Sequence, residues 1–289
     1  MKTSKHFFSL LSLGMTVSSL PIQQEYGKRE IRVMTFNIRY GSAADGLNSW
    51  PFRRSFLAKV IKKSLPDILG LQEAEESQVA YILKSLDCLP YISIGTGRGK
   101  DEKGESTRIL VNSLRFSVES SGTFWLSDTP DVPGSTSYGN HLPRIATWAH
   151  LKEHGENGTG LTIVNTHLDH ESQSARIKGV QQILDWISLH AVRNPVIVTG
   201  DFNNEADDSE EIQLMEKFGF SDIHFELHGE RPATFHEFTG DAESLSLPKI
   251  DFIWQKGDLE AVSSSIIKSR SFFGQYPSDH FPILSSINH

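Results

Sequence analysis

About two-thirds of the way along this 289-residue chain, the run Val196-Ile197-Val198-Thr199-Gly200 ends in Asp201-Phe202-Asn203, an apolar stretch closed by a carboxylate and an amide two residues apart. Residues i and i+2 of an extended segment face the same side, so Asp201 and Asn203 can address one bound group together. Gly200 fits an unusual turn or a close approach of substrate to backbone. Gly, Asp and Asn are also ordinary turn formers, and a strand ending in a turn explains them alone equally well. The reactive reading gains because the arrangement recurs. Asn37 closes the run 31–36, Gln72 and Glu73 close 68–71, and His167 follows the run 161–165. Asp251 lies in Ile250-Asp251-Phe252-Ile253-Trp254, and Asp279-His280 precede the last apolar run.

These side-chain types suit phosphoester chemistry. A magnesium ion takes one or two carboxylates with waters and phosphate oxygens, which a sparse acidic pair supplies and a histidine cage does not. An imidazole aimed by a carboxylate takes a proton near neutral pH, and the carboxylate fixes its tautomer. Neutral amides hold phosphoryl oxygens without repelling an attacking water.

The elements that must position these groups follow from hydrophobic patterning. Val196-Ile197-Val198 reads as a strand covered on both faces, which forces the polar residues after it to the sheet edge, where ligands bind in layered α/β proteins. Further strands are predicted over 31–36, 68–71, 109–111, 122–126, 144–151, 161–165, 250–254 and 283–287, with a Gly-rich hairpin turn at 155–160. Phe56, Leu57, Val60 and Ile61 share one stripe of a helix that closes before Pro66. Helices are also predicted over 77–86, 175–190 and 209–218, the last with Ser209 as N-cap. A Gly- and charge-rich loop spans 95–106, and a Pro-, Gly- and Ser-rich one spans 128–140, which we place near the site. No internal repeat is present, and a layered α/β or α+β domain follows.

A hydrophobic content of 38% over this length supports one large core and a single domain, residues 31–289. The net charge of −8 and pI of about 5.8 lack the basic footprint of a protein that grips long nucleic acid, although a small positive phosphate site remains compatible. Lys2 and Lys5 precede an apolar, Ser-rich stretch at 7–20 and then Pro21, so residues 1–24 resemble a secretory signal. That stretch is too short for a membrane span, so no transmembrane segment is expected, and the protein is expected to be secreted or periplasmic and monomeric. Cys88 is the only cysteine, which excludes an internal disulfide and a cysteine-rich zinc site, and we read it as a small buried side chain.

Six short signatures stand in order: Thr35-Phe36-Asn37, Leu71-Gln72-Glu73, Asn165-Thr166-His167-Leu168, Gly200-Asp201-Phe202-Asn203, Ile250-Asp251-Phe252 and Ser278-Asp279-His280. Together they resemble the endonuclease/exonuclease/phosphatase superfamily over nearly the whole chain from Ile31, and the run Gly122 to Ser127 with Pro130 and Pro133-Gly134-Ser135 is similar to a secreted bacterial branch of it. The resemblance implies a deoxyribonuclease-like, four-layer α/β (α+β) sandwich, two packed β-sheets flanked by helices. It also implies Mg²⁺- or Mn²⁺-dependent cleavage of a phosphoester. By the same resemblance Glu73 is the main metal ligand and Asp279 a further one, and Asn37, Asn203 and His167 hold phosphoryl oxygens. Asp251 orients His280, and His280 with Asp201 handles protons, with the choice of water-activating group left open.

Each residue also has a plainer reading. Glu73 would cap the following helix, His167 would be a core histidine, and Asp251 would pair with Lys249 or Arg270. Asp169 and His170 are expected on the solvated surface. Arg144 either reaches a phosphate or pairs with an acid, Glu105 is a possible partner of His167 as in some relatives, and Trp125 is expected in the core. Neither the basic surface of DNA-cleaving relatives nor an exposed aromatic hairpin like that of sphingomyelinases is evident. The expected activity is hydrolysis of a small or surface-attached phosphoester. A nuclease of limited specificity and a non-catalytic phospho-ligand binding module are the competing expectations.

Overall fold

The computed structural model describes residues 30–87, 89–155, 158–191 and 194–289, so the signal-like segment and Cys88 lie outside the described residues. Two six-stranded mixed sheets make up its centre. The first, in spatial order, contains β11 (Glu260–Ile266), β12 (Ile283–Asn288), β1 (Ile31–Asn37), β2 (Ile68–Ala74), β4 (Ser106–Asn112) and β3 (Tyr91–Ile94). The second contains β5 (Phe116–Trp125), β6 (Ile145–Glu153), β7 (Gly160–His167), β8 (Val196–Asp201), β10 (Asp251–Lys256) and β9 (Ser221–Asp222). The connections include α1 (Trp50–Ser64), α2 (Glu76–Ser85), α3 (Gln173–His190), α4 (Glu210–Lys217) and α5 (Ile223–His228).

The doubly apolar strands have a layered cause. Val33, Ile68, Ile109, Ile163, Ile197 and Ile253 fill the core between the sheets. Their neighbours turn outward. Met34, Leu69 and Leu71 pack against Leu57, Ile61, Val79 and Ile82 of α1 and α2, and Val164, Val196 and Val198 pack against Val180, Ile183 and Leu184 of α3. Helix, sheet, sheet and helix form four layers, as the strands with apolar residues on both faces require.

Two registers set the site. β1 runs parallel to β2, with Asn37 opposite Gln72, and β7 runs parallel to β8, with His167 opposite Asp201. β12 and β10 are antiparallel to these pairs, so it is their N-terminal ends that reach the same edge, with Asp251 opposite Asp201. Six chain segments thus deliver polar residues to one end of the sandwich.

Just beneath that end, a buried polar seam ties the sheets together. Asn165 Oδ1 accepts from Gln72 Nε2 at 2.7 Å and from Thr199 Oγ1 at 3.1 Å, and its Nδ2 donates to the carbonyls of Leu71 at 2.9 Å and Arg108 at 3.1 Å. A Cβ on Gly70 would stand 2.4 Å from Thr199 Oγ1, so only glycine admits this contact. Gly200 answers a similar need. A Cβ there would lie 2.5 Å from the carbonyl oxygen of Thr166, so the close approach it permits is to β7 and not to a substrate.

The sequence-predicted helices hold with small shifts of boundary. Leu65 ends α1 in the left-handed region, φ 45°, immediately before Pro66. Ser209 occupies the N-cap position of α4, but its hydroxyl makes no capping bond and is buried without a partner. Glu210 and Glu211 in the first turn favour the helix dipole instead. β3, β9, α5 and β11 were not anticipated.

Candidate active site

β2 delivers Glu73 through a bulge. Its pairing with β4 slips between Leu71, opposite Arg108, and Ala74, opposite Ser106, and Glu73 takes φ 58°. A bulge re-aims a side chain, and here it directs a carboxylate toward β1. Asn37 Nδ2 donates to Glu73 Oε1 at 3.1 Å, and the Tyr40 N–H donates to Oε2 at 2.9 Å. The cap of α2 is a different residue, Glu75, whose N–H donates to Gln78 Oε1 at 3.0 Å, so Glu73 is not the helix cap.

The same Asn37 amide donates to Asp201 Oδ2 at 2.9 Å, joining the two sheets across the site. Asp201 Oδ2 also lies 3.6 Å from His167 Nε2 and 3.8 Å from His280 Nε2. On its far side His280 Nδ1 meets Asp251 Oδ2 at 2.8 Å, which makes Nδ1 the protonated nitrogen facing that carboxylate. Asp251 therefore pairs with His280. Lys249 is committed to Asp222 at 2.7 Å, and Arg270 donates to the Gly274 carbonyl.

Burial and charge set the protonation of this cluster. Asp201 is raised to about 7, first by burial and then by Asp251. For His280 burial acts downward but is outweighed by Asp251, hydrogen-bonded to it, with Asp201 and Asp279 adding to the pull, so the imidazole is raised to about 10 and stays cationic at neutral pH. His167 is lowered well below its ordinary value by burial, then by Arg144 and Arg98, and is neutral.

Asp279 and His280 are successive residues whose side chains have different partners. Asp279 accepts from the Ser278 hydroxyl at 3.1 Å, and Arg39 Nε stands 3.8 Å away. Burial, and among the charges Glu73, raise its carboxyl. Arg53, 1% exposed, secures this corner by donating to the carbonyls of Ile38 at 2.6 Å, Arg39 at 2.8 Å and Pro277 at 3.0 Å.

Asn203 departs from expectation. The chain turns there with φ 48°, so it does not continue the extended alternation from Asp201. Its N–H caps Asp201 Oδ1 at 3.0 Å and its Nδ2 donates to the Leu168 carbonyl at 3.0 Å. Asp169 is also not a surface residue. It is 2% exposed, accepts from the N–H groups of Glu171 and Ser172 ahead of α3, and pairs with Arg144 at 3.3 Å. His170 is exposed as expected. Glu105 does come close to His167 and Glu73, all within 4.8 Å, and pairs with Arg98. Trp125 is buried and donates to the Arg98 carbonyl at 2.8 Å. An exposed aromatic tip, not evident in the sequence, exists after all: Phe272 and Phe273 are 96% and 86% exposed on the turn before β12. Arg39, Arg53 and Arg98 carry no motif signal, since a lone arginine, in a loop or like Arg53 within α1, has no spacing to betray it.

The sequence profile of the Endonuclease/Exonuclease/phosphatase family matches residues 34–280. Among solved structures, an endonuclease/exonuclease/phosphatase from Bacteroides vulgatus is 31% identical with TM-score 0.82, covering 90% of this chain and 99% of that one. A mannosyl-6-phosphatase of Bacteroides thetaiotaomicron is 28% identical with TM-score 0.79, covering 90% and 100%. The human Nocturnin catalytic domain, 22% identical, shares the fold at TM-score 0.70 over 90% of this chain and 94% of its own. No curated protein matches. With its motifs gathered at one end of two packed sheets and the family profile spanning most of its length, the chain belongs to the endonuclease/exonuclease/phosphatase family.

Proposed function

We propose that the protein is an exported, divalent-metal-dependent hydrolase that cleaves a small or surface-attached phosphoester by in-line attack of water. The observation that carries this reading is the separation of two acidic sets at one sheet edge: Glu73 with Asp279, and Asp251 with His280 and Asp201. The first set fits a hard cation. Its donors are oxygens, Glu73 is among the groups that raise the Asp279 carboxyl, and Arg39 at 3.8 Å is the near counter-charge to Asp279. Glu73 and Asp279 would hold Mg²⁺ or Mn²⁺, which when bound polarises a phosphoryl oxygen and neutralises charge on it.

The chain's own residues handle the protons. Asp201, beside the two imidazoles, is the acceptor for the attacking water. His280, held as an imidazolium by Asp251, stabilises charge developing on the phosphoryl group or the leaving oxygen. Asn37 spaces Glu73 from Asp201, and neutral His167 offers a donor to a phosphoryl oxygen. Asn203 acts through its hold on Asp201. The mannosyl-6-phosphatase among the similar structures supports a small phosphorylated substrate such as a sugar phosphate.

Purified protein with magnesium is expected to hydrolyse para-nitrophenyl phosphate or its bis-ester, and chelation to stop it. Equal turnover without metal would sink the proposal. Tight binding of phosphorylated ligands with no turnover across nucleotides, nucleic acids, sugar phosphates and head groups would favour the binding module. N-terminal sequencing of protein exported by its host should find a start between residues 20 and 27, and an intact Met1 on cytoplasmic material would refute export.

A further inference from the structure

A cleft beside the proton-handling cluster is lined by Glu73, Arg98, Glu105, Thr107, Arg144 and His167. Two of these are guanidinium groups with no part in the steps above. Arg144 is 4% exposed. Its Nε pairs with Asp169 at 3.3 Å and its Nη2 lies 2.7 Å from His170 Nδ1, while Nη1 is buried and has no hydrogen-bond partner. An unpaired donor on a buried cation is costly, and an oxyanion is the group that answers it best. Arg98 spends Nη2 on Glu105, and its loop is anchored where Trp125 Nε1 reaches its carbonyl at 2.8 Å. Both arginines line the same cleft as His167, so they stand close to where a phosphoryl group would sit.

The number of donors decides what this cleft can select. A phosphodiester has two terminal oxygens and one negative charge, whereas a monoester near neutral pH has three terminal oxygens and a charge of about −1.5 to −2. The amides are already partly committed, Asn37 to Glu73 and Asp201 and Asn203 to the Leu168 carbonyl. His167 adds a donor but no charge. A third oxygen with its added charge needs a cationic donor, and in a diester that position is taken by the second ester group.

We propose that Arg144, assisted by Arg98, forms an anion subsite that receives a terminal oxygen of a phosphomonoester dianion, so that monoesters are preferred over diesters. This rests on the hydrolase reading above and names the ester class of that same site.

The test compares kcat/KM for para-nitrophenyl phosphate and bis-para-nitrophenyl phosphate in wild type, Arg144→Gln, Arg144→Lys and Arg98→Gln, alongside calorimetric binding of inorganic phosphate. Arg144→Gln should lower monoester kcat/KM by about 30-fold or more, and diester kcat/KM by less than about 3-fold, with phosphate binding weakened about 10-fold. Arg144→Lys should recover part of the monoester rate, and Arg98→Gln should show the same selectivity at smaller size. Equal losses on both esters, or no loss on either, would overturn the subsite. Should Arg144→Gln not fold, an unselective Arg98→Gln overturns it equally. If wild type cleaves neither ester, the hydrolase reading fails, and unchanged phosphate binding in Arg144→Gln then decides against the subsite separately.

Discussion

The two sheets contribute to the cleft in different ways. The first brings Glu73, Asn37 and, from the loop before β12, Asp279, and the charge near them is acidic apart from the arginines Arg39, Arg53 and Arg98. The second brings His167, Asp201 and Asp251, in which carboxylates and imidazoles alternate at 2.8 to 3.8 Å. His280 belongs by sequence to the approach of β12 but by contact to the second sheet. One half is thus suited to holding a cation and the other to moving protons, with the Asn37 amide as the direct side-chain link between Glu73 and Asp201. A site divided this way lets each function be disturbed without the other.

Variants should separate the halves. In the second, His280→Ala should lower kcat by about 10²-fold or more, the range for a positioned acid or base, with no recovery at high Mg²⁺. The same half should give kcat/KM a rising limb from Asp201, whose base form dominates only above about 7, and a falling limb as His280 deprotonates near about 10. A bound cation would draw both limbs lower, and the rising one should vanish in Asp201→Asn. In the first half, Glu73→Gln should lose a comparable rate at low metal but regain much of it as Mg²⁺ is raised. If excess metal rescued His280→Ala as fully as Glu73→Gln, the division would be wrong.

The seam that holds the halves in register comes next in size. Asn165→Ala strands the Gln72 amide and Thr199 hydroxyl in a buried place, and urea unfolding should show a loss of about 2–3 kcal/mol. Asp251→Asn should lower kcat roughly 10-fold, less than His280→Ala, by loosening the imidazole and favouring the wrong tautomer. The smallest effect comes from two buried histidines that take no part in the proposed steps. His224 and His236 are each lowered to about 4, chiefly by burial, so the unfolded chain protonates them first. Their contribution is intact above about 6.5 and lost as pH falls toward 4. The drop in urea midpoint between pH 7 and pH 4.5 should therefore be smaller in His236→Gln than in wild type.

Much of this was legible because the site sits where apolar runs stop. Runs such as 196–198 and 68–71 are buried on both faces, so their ends and the polar residues past them stand out against the pattern. β11, a serine-rich edge strand, carries no apolar period, and β3 and α5 are four and six residues long, too short to establish one. Asp169 reads as a surface residue because its charged partner, Arg144, lies 25 residues away, and no local pattern reports such a partner. The alternation that would pair Asn203 with Asp201 fails because β8 ends at Asp201 and Asn203 lies two residues beyond it, where the chain turns. The bulge at Glu73 was invisible for a related reason: it depends on how β4 registers against β2.

That bulge places Glu73 at φ 58°, and Asn203 holds φ 48°. A side chain in the left-handed region costs about 1–3 kcal/mol, and glycine would be at ease in both places. A screen that rewards heat tolerance alone would therefore be drawn to Glu73→Gly and Asn203→Gly, and its winners would have lost the carboxylate assigned above to the cation or the side-chain hold of Asn203 on the Leu168 carbonyl. Directed evolution of this scaffold needs turnover as a second criterion from the first round, because two of its left-handed residues are ones on which the proposed chemistry depends.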